Sequence, residues 1–169
     1  MKKIALLLCC LLLLQLFAGC SGKEEEIQQP VNFYYLNKEI TYNTPEGVIC
    51  SEIREGAQFN DFEDLLRVYL EGPTSSHLQS LLPDGTSLLS CTIENETAQI
   101  LLSSQFSELS GIKLASVCSG ILLTARDFSN VQTIYVRAEG AQLDDKDEFI
   151  LSVGDLVLLD TETSDGPKE

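Results

Sequence analysis

Apolar positions in this chain recur at two different periods, and the change from one to the other marks out its elements. Phe62, Leu65, Leu66, Tyr69 and Leu70 repeat at spacings of three and four, which gathers them on one side of a helix from about Asp61 to Glu71. Asn60 stands where a side chain can cap the first free N–H groups, with Glu63 three places on. Gly72-Pro73 ends that helix. A second helix is predicted from about Ser110 to Asp127, with Leu114, Val117, Cys118, Ile121, Leu122 and Ala125 on one broad face. Gly120 lies inside it, at a cost of about 1 kcal/mol relative to alanine that tertiary packing must offset.

Elsewhere the period is two. Val31 to Leu36 is aromatic and β-branched, a good strand, and Ile40 to Ile53 reads as an irregular hairpin around Thr44-Pro45-Glu46-Gly47. Pro83-Asp84-Gly85 has the residues of a tight turn. Leu89, Cys91 and Ile93 alternate with polar residues, as do Ala98, Ile100 and Leu102, and Asn95-Glu96 between them predicts a hairpin. Gln132 to Ala138 is a further strand with Ile134, Val136 and Ala138 facing inward, and Phe149 to Leu159 is a last apolar stretch. The order of elements predicts an α+β fold, a mixed β-sheet with two helices packed on one face.

The amino-terminal stretch obeys neither period. Lys2 and Lys3 precede an apolar run from Ile4 to Phe17 broken only by Gln15. Fourteen helical residues reach roughly 21 Å, short of the roughly 30 Å hydrocarbon slab, so the length is that of a signal peptide. Leu16-Phe17-Ala18-Gly19-Cys20 resembles the lipobox of bacterial lipoproteins, with Phe17 where leucine is favoured. That resemblance implies lipidation of Cys20 by fatty-acyl chains such as palmitate, and cleavage before it. Two or more such chains hold a protein firmly where one is marginal. The alternative is an ordinary secretory signal with a chance cysteine. Residues 21–30, SGKEEEIQQP, then form a polar tether whose acids keep it away from anionic lipid.

Composition narrows the partners. Without residues 1–19 the remaining 150 carry nine bases against 26 acids, a formal charge of −17. Nucleic acid and anionic headgroups are thereby excluded as partners. The length suits one domain with a real core. Beyond Cys20 there remain Cys50, Cys91 and Cys118, an odd number that argues against a full disulfide framework and leaves buried thiols or a single bridge.

The segment LLRVYLEGPTSSHLQSLLPDGTSLLSCTIENETAQILLSS resembles the centre of the GerMN domain, the sporulation and spore-germination module. Leu70, Gly72, Pro73, Leu78, Ser80, Pro83, Gly85 and Thr86 fall on its motif, and the strand VQTIYVRAEG with Gly140 sits where the family places it. Leu102 stands where an aspartate is frequent. The resemblance covers residues 31–140. It implies a module similar to the ring-building motifs of sporulation channels, found in envelope lipoproteins of Gram-positive bacteria, with no active site or cofactor. Gly72, Pro73, Pro83, Gly85 and Thr86 also have a structural reading, as turns and helix ends. The chain thus divides into a signal peptide (1–19), a lipidated cysteine and tether (20–30), the GerMN-like domain (31–140), and a carboxy-terminal strand extension with a polar tail (141–169).

Catalytic and metal signals are sparse. His77, the only histidine, sits in a turn beside Ser75 and Ser76, and Asp144, Asp145, Asp147 and Glu148 lack the glycine and spacing of a calcium loop. No G-x-S-x-G, P-loop or dinucleotide fingerprint occurs. The expectation is a non-enzymatic, lipid-anchored scaffold on the outer face of the cytoplasmic membrane, recruiting an envelope protein or a copy of itself. The alternative is a binding module for a small envelope ligand such as a peptidoglycan fragment, with Tyr34, Tyr42 and Tyr135 as stacking surfaces.

Overall fold

A computed structural model of the chain describes residues 30–39, 48–54, 59 and 61–156. The elements run β1 (Val31–Asn37), β2 (Ile49–Arg54), α1 (Phe62–Leu70), β3 (Leu78–Gln79), β4 (Leu88–Glu94), β5 (Thr97–Leu102), a 3-10 turn (Ser104–Glu108), α2 (Gly111–Ser129), β6 (Thr133–Ala138), β7 (Phe149–Ser152) and a closing 3-10 turn (Val153–Asp155). The class is α+β with two α-helices among the described residues, as the pattern of periods predicts. The strands divide between two sheets, however, one ordered β2-β1-β3 and one ordered β4-β5-β6-β7. The turn expected at Thr44–Gly47 and the apolar residues beyond Leu156 lie outside the described residues.

The cap of α1 is local, and that of α2 comes from a distant loop. Asp61, one residue later than the expected Asn60, caps α1 by accepting a hydrogen bond from the Asp64 N–H at 2.9 Å. Asn60 itself lies outside the described residues. Gly72, at φ +90°, turns the chain away after α1 in a conformation that a Cβ disfavours. At the start of α2 the Ser110 side chain makes no capping bond. Both Asp144 carboxylate oxygens accept from the Gly111 N–H instead, at 3.1 and 3.0 Å, so the acidic loop supplies the cap from 33 residues away.

The four-stranded sheet follows its sequence with one exception. Asn95 and Glu96 both adopt positive φ and join β4 to β5 tightly. β5 and β6 run parallel, as a crossover through α2 requires. Ala98, Ile100, Leu102, Ile134, Val136 and Ala138 are buried on the inner face. Leu89 was expected to share that face, but it is exposed and Leu88 is buried in its place. A bulge between Leu88 and Ser90 shifts the register against β5 and flips the alternation.

One core joins the two sheets. Phe33 and Tyr35 from β1, Phe62, Leu65, Leu66 and Tyr69 from α1, and Leu114, Ile121 and Leu122 from α2 are buried together with the inner face of the larger sheet. α2 lies along the side of β1 that β2 does not pair. The Tyr34 N–H donates to Thr124 Oγ1 at 3.0 Å, and the Tyr34 carbonyl accepts from the Tyr69 hydroxyl at 3.1 Å. These side chains complete the backbone pairing that a strand would otherwise supply. Burial, then the neighbouring Tyr35 and Cys118, hold the Tyr69 hydroxyl protonated far above the ordinary tyrosine range, so it stays a donor.

Candidate interaction surface

Two side chains on β2 hold the glycine-proline turn in place. Arg54 donates to the carbonyl of Gly72 just past α1 and, at 3.3 Å, to that of Val68, which also accepts from the Glu71 N–H. Glu52, two residues earlier and on the same side of the strand, pairs with Arg54 at 2.9 Å. It also accepts from the Thr74 N–H at 3.0 Å and the Ser75 N–H at 2.8 Å. The Arg54 guanidinium rests 4.6 Å over the Phe33 ring, a further stabilising contact for a cation. Both charged side chains are about nine-tenths buried, at 11% and 8% exposure.

This clamp has a pH signature. Burial pushes the Glu52 carboxyl upward, but the Thr74 and Ser75 N–H groups and the Arg54 guanidinium together outweigh it and set the carboxyl below its ordinary value near 4.5. A lowered carboxyl contributes stability above its unfolded pKa and loses it as pH falls through the folded one. Urea midpoints are therefore expected to fall as pH drops from about 5 toward 3, and to fall less in Glu52→Gln. Equal pH slopes in the two proteins would show that Glu52 is not held as described.

Pro83, Gly85 and Thr86 form a second motif turn. The Pro83 carbonyl accepts from the Thr86 N–H at 3.1 Å and from its hydroxyl at 2.8 Å, with Gly85 at φ +82° in the position that demands it. All five motif residues thus stand in turns, Gly72 and Pro73 at the end of α1 and the other three before β4. A shallow groove of about 230 Å³ separates the last turn of α1 from residues 86–88. Arg67 on its wall already pairs with Glu63.

The outer face of the larger sheet is different in character. Strand register places Thr92, Gln99, Tyr135 and Ile150 in one row across all four strands. Ser90, Leu101 and Arg137 form the row on one side, and Glu94, Thr97, Thr133 and Ser152 the row on the other. No described element covers it: Thr92 and Gln99 are exposed and Ile150 keeps 49% of its surface in water. Within the strands this face carries one acid and one base, on a chain of formal charge −15.

The family profile described as "Germane: Sporulation and spore germination" matches residues 32–144, two-thirds of the chain. The chain belongs to this family. Its structure is similar to the tandem GerMN domains of the sporulation protein GerM from Bacillus subtilis, with a TM-score of 0.55 and 17% identity over 79% of this chain and 49% of that one. It is also similar to the first GerMN domain of the same protein, with a TM-score of 0.52 and 18% identity over 76% of this chain and 100% of that one. At these identities the likeness is one of fold, and this chain spans about half the length of the tandem protein. A search of curated proteins finds no match.

The remaining polar residues of the GerMN domain are occupied or dispersed. His77 is exposed, and its carbonyl accepts from the Lys38 N–H at 2.9 Å. Asp144 and Asp145 turn the backbone at positive φ, and among the described residues no group of His, Cys, Asp and Glu has the geometry to hold a metal ion. The Tyr34 hydroxyl donates to Asp127 at 2.8 Å, which ties it to α2 rather than leaving its ring free to stack. Tyr42 lies outside the described residues, and Tyr135 stands on the open sheet face. Burial pushes the Cys91 thiol up to about 11, with Glu63 and Asp61 adding to the effect, and pushes the buried Cys118 higher still. Neither has the character of a nucleophile. Sequence reading missed Glu52 and Arg54 as partners of the motif turn. Their only signal was a pair of opposite charges two residues apart in a strand, with no indication of what they face.

Proposed function

We propose that this GerMN protein is a non-enzymatic assembly scaffold of the bacterial envelope in sporulation or germination. A lipid on Cys20 fastens it to the outer face of the cytoplasmic membrane, and it docks through the outer face of its four-stranded sheet. The observation that carries this reading is that sheet face, uncovered among the described residues and charge-balanced on a strongly acidic domain. A protein with this much like charge repels other acidic surfaces unless it meets them through such a face. Exposed Ile150 and half-buried Leu101 amid short polar side chains, with half-buried Tyr135 near the centre, fit a docking surface better than a ligand pocket.

A photo-crosslinking side chain at Gln99, in growing and in sporulating cells, is expected to capture protein. Capture of nothing in either state would overturn the docking role. The anchor has its own test. Cys20→Ala is expected to abolish incorporation of labelled palmitate and the signal cleavage that depends on it; unchanged labelling and processing would remove the anchor.

A further inference from the structure

The two charges on the open sheet face are placed so that the face complements itself. Gln99 on β5 is paired with Thr92 on β4 and with Tyr135 on β6. Glu94 lies two residues beyond Thr92, and Arg137 two residues beyond Tyr135. Because β4 runs antiparallel to β5 while β6 runs parallel to it, those two steps go in opposite directions. Glu94 and Arg137 therefore stand at the two ends of a diagonal whose midpoint is Gln99. Neither charge is neutralised within its own chain: among the described residues, no ion pair or hydrogen bond involves either side chain.

Resting on the docking role proposed above, we infer that the partner is a second copy of this chain, seated face to face about a twofold axis that passes over Gln99. An axis in the plane of contact and perpendicular to the diagonal exchanges its ends. Each Glu94 then meets the other copy's Arg137, and both pairs form at once, as an isologous interface requires. The charge distribution favours this approach over others, since elsewhere the surface of a chain with 26 acids and 11 bases opposes acid to acid. Thr92, Thr97 and Thr133 are short enough for the sheets to approach, and Tyr135 and Ile150 supply apolar surface to bury.

The test uses the full-length chain in its own membranes. Facing sheets pack about 10 Å apart, so Gln99→Cys on the axis should be joined to its copy by a short bis-maleimide, giving a dimer well above that of the parent chain. The parent chain controls for Cys50, Cys91 and Cys118. Adding Arg137→Glu sets acids opposite one another and should reduce the dimer about tenfold, or about 1.4 kcal/mol. Adding Glu94→Arg as well should restore it. A Gln99→Cys dimer no stronger than in the parent chain, or one indifferent to the charge reversals, overturns the inference. Failure is distinguishable from failure of the docking role, because a photo-crosslinker at Gln99 that captures only a different protein removes the self-association and leaves the scaffold standing.

Discussion

Arg54→Ala is expected to destabilise the domain by about 3–5 kcal/mol, the range for removing one partner from a buried ion pair. The loss has three parts that share one side chain. Glu52, 8% exposed, keeps its charge with no cation beside it. The Gly72 carbonyl loses the Arg54 donor, and the Val68 carbonyl is left with the Glu71 N–H alone. Phe33 loses the cation over its ring. Lysine should not rescue the site, because an ammonium is a point charge and cannot reach the carboxylate and two carbonyls in the fork geometry of a guanidinium. Urea unfolding of the parent, Arg54→Ala and Arg54→Lys proteins gives the comparison. Domain stabilities are typically about 5–15 kcal/mol, so the alanine variant should be close to unfolding. A loss under about 1 kcal/mol, the range of an exposed pair, would show that the clamp is not a buried one.

Gly120→Ala is expected to destabilise by about 2–3 kcal/mol, although alanine is the better helix former by about 1 kcal/mol. A Cβ built on Gly120 would lie 2.5 Å from the Tyr34 carbonyl oxygen and 2.5 Å from the Tyr69 hydroxyl. Helix and strand must separate, and the Tyr69–Tyr34 hydrogen bond and the Thr124–Tyr34 hydrogen bond are strained together. Tyr69→Phe in the same chain removes one of the two clashes but leaves the backbone carbonyl, so it should recover only part of the loss. The measurement is again the unfolding free energy. A stabilised Gly120→Ala protein would mean that α2 does not approach β1 as closely as the structure has it.

These two positions show where reading the sequence succeeded and where it stopped. The periods of Phe62 to Leu70 and of Leu114 to Ala125 placed both helices, because each buries one continuous stripe and the stripe is written in adjacent turns. The alternation of Ala98, Ile100 and Leu102 placed β5 for the same reason. Leu89 misled because a bulge adds one residue to a strand without changing its composition. Gly120 read as a weakness of α2, since its value lies in what approaches it from 86 residues away. The acidic loop showed only that it lacks calcium-loop spacing, yet Asp144 caps a helix in another part of the chain.

The chain's own order of residues determined the helices, most of the strands, the turns at Gly72-Pro73 and Pro83–Thr86, and membership of the GerMN family, because each depends on residues within a few places of one another. Only the tertiary structure decided that the strands form two sheets, that Glu52 and Arg54 grip the end of α1, that α2 closes the side of β1, and that one sheet face stays open with Glu94 and Arg137 across Gln99. Each of those depends on strand register and on side chains meeting across long separations, which burial and hydrogen bonding select and local pattern does not record.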